Sequence, residues 1–229
     1  MEYKYYYNTI PVHGQVRNNL IYTSLISEDQ KTFVKWYHND TEYHQGKNQI
    51  IDPNLMQDKW DREILYLSHM VTYKPHLVPE VQAIELANKK IYLKIDGVDF
   101  WQQSLDRNCS FDEVLPDWQE QMLAILQAHK DLGFYKYSLH PSSYFIVDGK
   151  LKSINYFFCH NDNEDLVPLS HFRSHISLDR QAKLEGYFDA HSLTWDSVLP
   201  YSILQQMTFE SFRSNYPDDF IERAKQIYA

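Results

Sequence analysis

Residues 110 to 157 constrain this chain most, because they join a helical stripe, a glycine stop and a hairpin turn in one ungapped run. "SFDEVLPDWQEQMLAILQAHKDLG" (110 to 133) contains a long helix with Trp118, Met122, Ile125, Leu126 and His129 on one face, and Gly133 ends it. "SYFIVDGKLKSINYF" (143 to 157) reads as strand, turn, strand. Asp148-Gly149 between apolar runs is a strong short-range hairpin signal, since both turn positions need a left-handed backbone.

The front of the chain reads as strands. Glu2 to Ile10 is rich in Tyr, "NLIYTSLIS" (19 to 27) is apolar and β-branched, and "TFVKWYH" (32 to 38) alternates. Phe33, Lys35 and Tyr37 fall on one side of the last run, Val34 and Trp36 on the other. These predict a meander of three antiparallel strands. The polar stretch 39 to 51 is a loop, and "DPNLMQDKWDREILYLSHMV" (52 to 71) is a helix with Leu55, Met56, Trp60, Ile64, Leu67 and Met70 on its stripe. Residues 80 to 97 predict a second hairpin across Asn88-Lys89, and 99 to 105 a short helix or turn. From 158 onward the pattern predicts helices, in segments 169 to 188, 194 to 209 and 217 to 229.

Composition narrows the function. A net charge of -9 disfavours nucleic acid as a partner, because binding a phosphate backbone needs a positive surface. Two cysteines, Cys109 and Cys159, imply no disulfide framework and fit a reducing, cytoplasmic setting. The start MEYKYYYNTI has no signal-peptide pattern, and no run approaches a bilayer span, so no membrane association is expected.

The order of elements, with "FVKW", "DREILYL", "KIYLKIDG" and "LQAHKDLGFYKYSLHPSSYFIVDGKLKSINYF", resembles the protein-kinase-like superfamily, including its aminoglycoside and choline phosphotransferase relatives. The likeness runs from residues 10 to 157. It implies an α+β, two-lobed fold. The first lobe, residues 1–97, would hold an antiparallel sheet plus one long helix. A shortened, mostly helical second lobe would take 98–229, with a β-hairpin near 144–156. The resemblance puts Lys35 where the family holds ATP phosphates, Glu63 as its partner, Gly14 in the glycine loop, and Lys94 and Asp96 beside the adenine pocket.

At the reacting centre the chain departs from that family. The catalytic base falls on Ser138, one metal ligand on Ser143 and the other on Asn155. Mg²⁺ favours hard anionic oxygens, which neither a Ser hydroxyl nor an Asn amide supplies. A hydroxyl at the base position cannot take up a substrate proton near neutral pH. "IPVHGQVRNNLIY" offers one glycine where a phosphate loop uses several, and Pro11 removes a backbone donor. Asp162, Glu164 and Asp165 follow soon after and could stand in, although a solvated acidic loop is the default reading.

Other constellations are weaker. His129, His140 and His160 lack zinc-site spacing, and His171 with His175 lacks the Glu of a zincin. Ser138, Ser142 and Ser143 near His140 have no nucleophile elbow around them. Cys159 beside His160 would face the opposite way on a strand. Phe157 and Phe158 read as fillers of the cleft a nucleotide would otherwise occupy, while the N-terminal tyrosines stay open as a contact surface.

The sequence therefore predicts a pseudokinase: an inactive binding or regulatory module with a protein partner, no intact catalytic set, no metal site and no cofactor. Two alternatives stand beside it. One is a divergent phosphotransferase on a small molecule or protein, using ATP and Mg²⁺. The other is a nucleotide or small-ligand sensor without turnover.

Overall fold

In a computed structural model, the described residues are 2–6, 10–12, 15–17, 22–37, 53–137, 139–161, 166–168, 189, 192–194, 198–200, 208–210 and 212–229. Two compact units divide the chain. One takes Met1–Ile125 and Pro141–Phe158, the other Leu126–His140 and Cys159–Ala229.

The first unit is built on one five-stranded antiparallel sheet, and with its helices it is mixed α/β and compatible with a kinase-like N-lobe. Its strands are β1 (Tyr3–Tyr6), β4 (Tyr22–Ser27), β5 (Thr32–Tyr37), β6 (Val81–Glu85) and β7 (Lys90–Lys94), in the spatial order β1-β4-β5-β7-β6. The expected meander and the expected hairpin thus share one sheet. Between β1 and β4, a separate ribbon pairs β2 (Ile10–Val12) with β3 (Gln15–Arg17).

Directly opposed residues of an antiparallel pair share a face. Ile26, Phe33 and Leu93 therefore form one row, and Ser24, Lys35 and Ile91 the next. All six are buried. The register sets the Lys35 ammonium beneath the sheet among apolar neighbours rather than at a rim.

Helix α1 (Pro53–Tyr73) has Pro53 at its first position, where the missing N–H costs no hydrogen bond. It buries Lys59, Trp60, Glu63, Tyr66, Leu67 and Met70 at helical spacing. The stripe therefore carries two charged residues. Ile64 is only half-buried.

The long helix expected within 110 to 133 is α4 (Trp118–Asp131), and a separate short helix, α3 (Phe111–Val114), precedes it. Leu115 lies between them in an extended conformation, because Pro116 disfavours helical backbone in the residue before it. Ser110 and Glu113 close a capping box on α3. Before them, α2 (Phe100–Arg107) is capped by the Asp99 carboxylate, which accepts from Gln102 N–H at 3.1 Å. The hairpin of β9 (Tyr144–Val147) and β10 (Lys150–Ser153) turns through Asp148 (φ 51) and Gly149 (φ 70), a type I′ geometry.

In the second unit β8 (Phe134–Lys136) pairs with β11 (Cys159–Asn161), and β12 (Leu166–Pro168) pairs with β13 (Val198–Pro200). Strand β13 lies inside the segment 194 to 209 expected as a helix and corrects that expectation, while β11 and β12 add strands after 158 outside the expected helices. Pro168 and Pro200 lack the N–H that a helix interior needs, and both sit at strand ends, where proline is tolerated. The segment 169 to 188, expected as a helix, lies wholly outside the described residues. The final segment is helical, as α5 (Asp218–Tyr228), with Phe220, Ile221, Ala224 and Tyr228 buried. The Tyr228 hydroxyl accepts from Lys136 N–H at 3.2 Å, and Tyr216 donates to the Leu139 carbonyl.

His129, in α4, is fully buried with its ring 5.0 Å from that of Phe134. Burial, reinforced by the positive charge of Lys136, pushes the imidazole well below its ordinary pKa of 6.5. The unfolded chain takes up a proton there that the folded one refuses, so stability present above 6.5 is lost as pH falls below it. The expected slope is about 1.4 kcal/mol per pH unit. Urea unfolding at pH 7.5 and 5.5 checks this: His129→Leu should remove most of the difference between the two.

Candidate functional site

The site is assembled from three elements of the first unit. Strand β5 supplies Lys35 and Tyr37, α1 supplies Lys59 and Glu63, and the short 3-10 turn Tyr156–Phe158 supplies Phe157. Lys35 Nζ meets Glu63 Oε2 at 2.9 Å, with side chains 0% and 1% exposed. The same oxygen accepts from the Tyr37 hydroxyl at 3.0 Å and from the Phe157 backbone N–H at 2.8 Å. One ammonium at ion-pair distance and two hydrogen-bond donors on one carboxylate oxygen offset the cost of burying an anion.

The far side of the Lys35 ammonium is covered by rings. Its Nζ lies 4.4 Å from the centroid of Phe157 and 5.4 Å from that of Tyr37. Both distances fall in the cation–π range. The two rings meet edge to face at 6.1 Å, and Tyr37 meets Trp60 likewise at 5.5 Å. Phe157 is 0% exposed. Lys59, also buried, brings its Nζ to 5.7 Å from the Phe157 centroid. The Lys35 ammonium is thus enclosed between the Glu63 carboxylate and aromatic rings.

The degenerate ligand positions lie together. Asn155 Nδ2 donates to Ser143 Oγ at 3.1 Å, and Ile154 N–H donates to the Ser143 carbonyl at 2.9 Å. Asn155 has φ 67, the left-handed region that Asn tolerates better than most residues. Neither group carries the charge Mg²⁺ favours, and the Ser143 hydroxyl oxygen is engaged by the Asn155 amide N–H. Among the described residues, no three of His, Cys, Asp and Glu converge to hold a metal ion. Ser138, Gly14 and the acidic stretch 162 to 165 lie outside the described residues.

Lys94 and Asp96 are placed apart from this cluster of buried charges. Lys94 pairs with Glu80 at 3.3 Å and Asp96 with Lys31, all on exposed surface. The segment they share runs beside the β4–β5 turn, where Ile95 N–H donates to Lys31 O at 2.9 Å and Gly97 N–H to Gln30 O at 3.0 Å. Gly97 has φ 87, a backbone state that suits glycine.

Sequence reasoning missed Lys59 and the closing role of Tyr37. The available signal for Lys59 was its spacing: positions 59 and 63 are one helical turn apart on a stripe otherwise filled by Trp60, Tyr66, Leu67 and Met70.

No protein-family model and no curated protein matches the chain. Among solved structures, monomeric WbdD is similar with a TM-score of 0.46 and 12% identity, over 91% of this chain and 48% of that one. The bifunctional kinase-methyltransferase WbdD gives a TM-score of 0.46 and 10% identity, over 100% of this chain and 51% of that one. This chain spans about half the length of those structures, and the likeness is weak.

Removing one partner of a buried ion pair strands the other, at about 3–5 kcal/mol. Glu63→Gln keeps shape but discharges the carboxylate, and should lower unfolding free energy in urea by that amount. The double variant Lys35→Met with Glu63→Leu should recover much of the loss, because neither charge is then buried alone.

Proposed function

We propose that this chain is a catalytically inactive, protein-kinase-like module that works by binding another protein. The observation carrying this reading is the enclosure of the Lys35 ammonium. Phosphoryl transfer depends on positioning and on neutralising charge around a triphosphate. Here the one strand lysine suited to that task is spent on Glu63 and sealed under Phe157. The Ser143–Asn155 pair supports the same reading, since its neutral groups offer little to a magnesium ion. On this reading the lobes meet near residues 97 and 98, no nucleotide or metal is needed, and Ser138 carries no base chemistry.

Protein contact suits the surface. The net charge of -9 argues against nucleic acid. Among the described residues no helix is long and apolar enough to cross a membrane. The apolar side chains of Leu65, Tyr73, Leu86 and Leu105 are exposed and offer contact area on the first unit. A cytoplasmic setting fits the two free cysteines, Cys109 and Cys159.

One observation favours the divergent phosphotransferase as second reading: Lys35 and Glu63 do meet, and an active member of the family needs that pair. A thermal-shift titration with ATP, with and without Mg²⁺ or Mn²⁺, separates the two. A ligand at about 100 times its Kd would stabilise the fold by about 2.7 kcal/mol. The expected outcome is no shift in either condition and no phosphate released. A metal-dependent shift would overturn the inactive reading.

A further inference from the structure

We propose that this chain pairs with a second copy of itself through the outer face of α1, as a weak antiparallel dimer centred near Ser68 and His69. The inference goes beyond the reading above and stands apart from it. Pairing along α1 needs no nucleotide, and it leaves Leu86 and Leu105 to a different protein.

The inner face of α1 is used within the fold, where Trp60, Glu63, Tyr66, Leu67 and Met70 are buried. Away from that face, Leu65 and Tyr73 remain 47% and 65% exposed. They belong to one ridge of residues four apart, running Asp61, Leu65, His69, Tyr73. Ser68 and Thr72 beside that ridge are exposed and short. A raised apolar ridge next to small side chains is the relief that interlocks with another helix.

Charge selects the occupant. The outward acids of α1, Asp58 and Asp61, lie in its first half. Asp61 accepts from the Gln57 amide at 2.7 Å, a contact that does not neutralise it. After Glu63 no acid occurs before Glu80, and Lys74 follows the helix end. A second copy laid antiparallel sets the acidic half of each helix against the Lys74 end of the other, and sets Leu65 of each beside Tyr73 of the other. Two-fold symmetry makes every such contact twice. The helix dipoles also oppose each other in that arrangement. A parallel copy would set Asp61 against Asp61.

Size sets the strength. The 21 residues of α1 give a contact about 30 Å long. One helix face falls short of the roughly 800 Å² per partner of stable complexes, so dissociation on the order of tens of micromolar is expected.

Sedimentation velocity over a rising concentration series, without nucleotide, tests this. The unaltered chain should pass from monomer to dimer. Leu65→Glu, at an exposed position, should raise the dissociation constant at least about tenfold, while Leu105→Glu, at an exposed leucine outside α1, should not. In a Cys109→Ser background, a mixture of Leu65→Cys and Tyr73→Cys chains should form more disulfide-linked dimer than either chain alone. A folded chain that stays monomeric at about 1 mM, a dimer indifferent to Leu65→Glu, or cross-linking that favours Leu65→Cys with itself overturns the proposal. Each of these results leaves the inactive reading intact, since that reading fails on metal-dependent use of ATP.

Discussion

The carboxylate of Glu63 is the contact on which the arrangement of the first unit depends. A single oxygen receives an ammonium from β5, a phenol from the same strand and a backbone N–H from the turn after β10. Strand, helix and turn are thereby fixed to one point. Such a pair adds little net stability against a well-packed apolar alternative, because desolvation offsets the attraction. What it does supply is position: the sheet register sets the height of Lys35, the helical repeat sets Glu63, and the Phe157 N–H ties the turn to the same oxygen.

That geometry has two consequences of opposite sense. It builds a buried lysine–carboxylate pair, and it encloses that pair beneath an aromatic ring. Phe157 contributes both its backbone, which bonds Glu63, and its ring, which covers Lys35. Before the ring in sequence, Asn155 donates to Ser143, two neutral groups at the positions the kinase resemblance gives to metal ligands.

Much of this could be read from the chain before folding was considered. The alternation of "TFVKWY" puts Phe33, Lys35 and Tyr37 on one face, and the register places them there. Asp148-Gly149 demanded a tight turn and makes one, because few other pairs tolerate two successive left-handed residues. Other parts were illegible for physical reasons. Strands of three residues, such as Val198–Pro200, are too short to show a period. Lys59 looked like an ordinary polar helix position, since local spacing cannot say that a ring from residue 157 will lie against it. The short helix Phe111–Val114 is a single turn, too brief to show a helical period.

The account stands on enclosed ammonium groups, and chemical accessibility measures that directly. Brief acylation of the native chain with an amine-reactive ester, mapped by mass spectrometry, compares each lysine with the others. Lys31 and Lys94, which are 61% and 55% exposed, should label rapidly, while Lys35 and Lys59 should stay unmodified until the chain is unfolded. Labelling of Lys35 at a rate comparable to Lys94 in the folded protein would contradict the account.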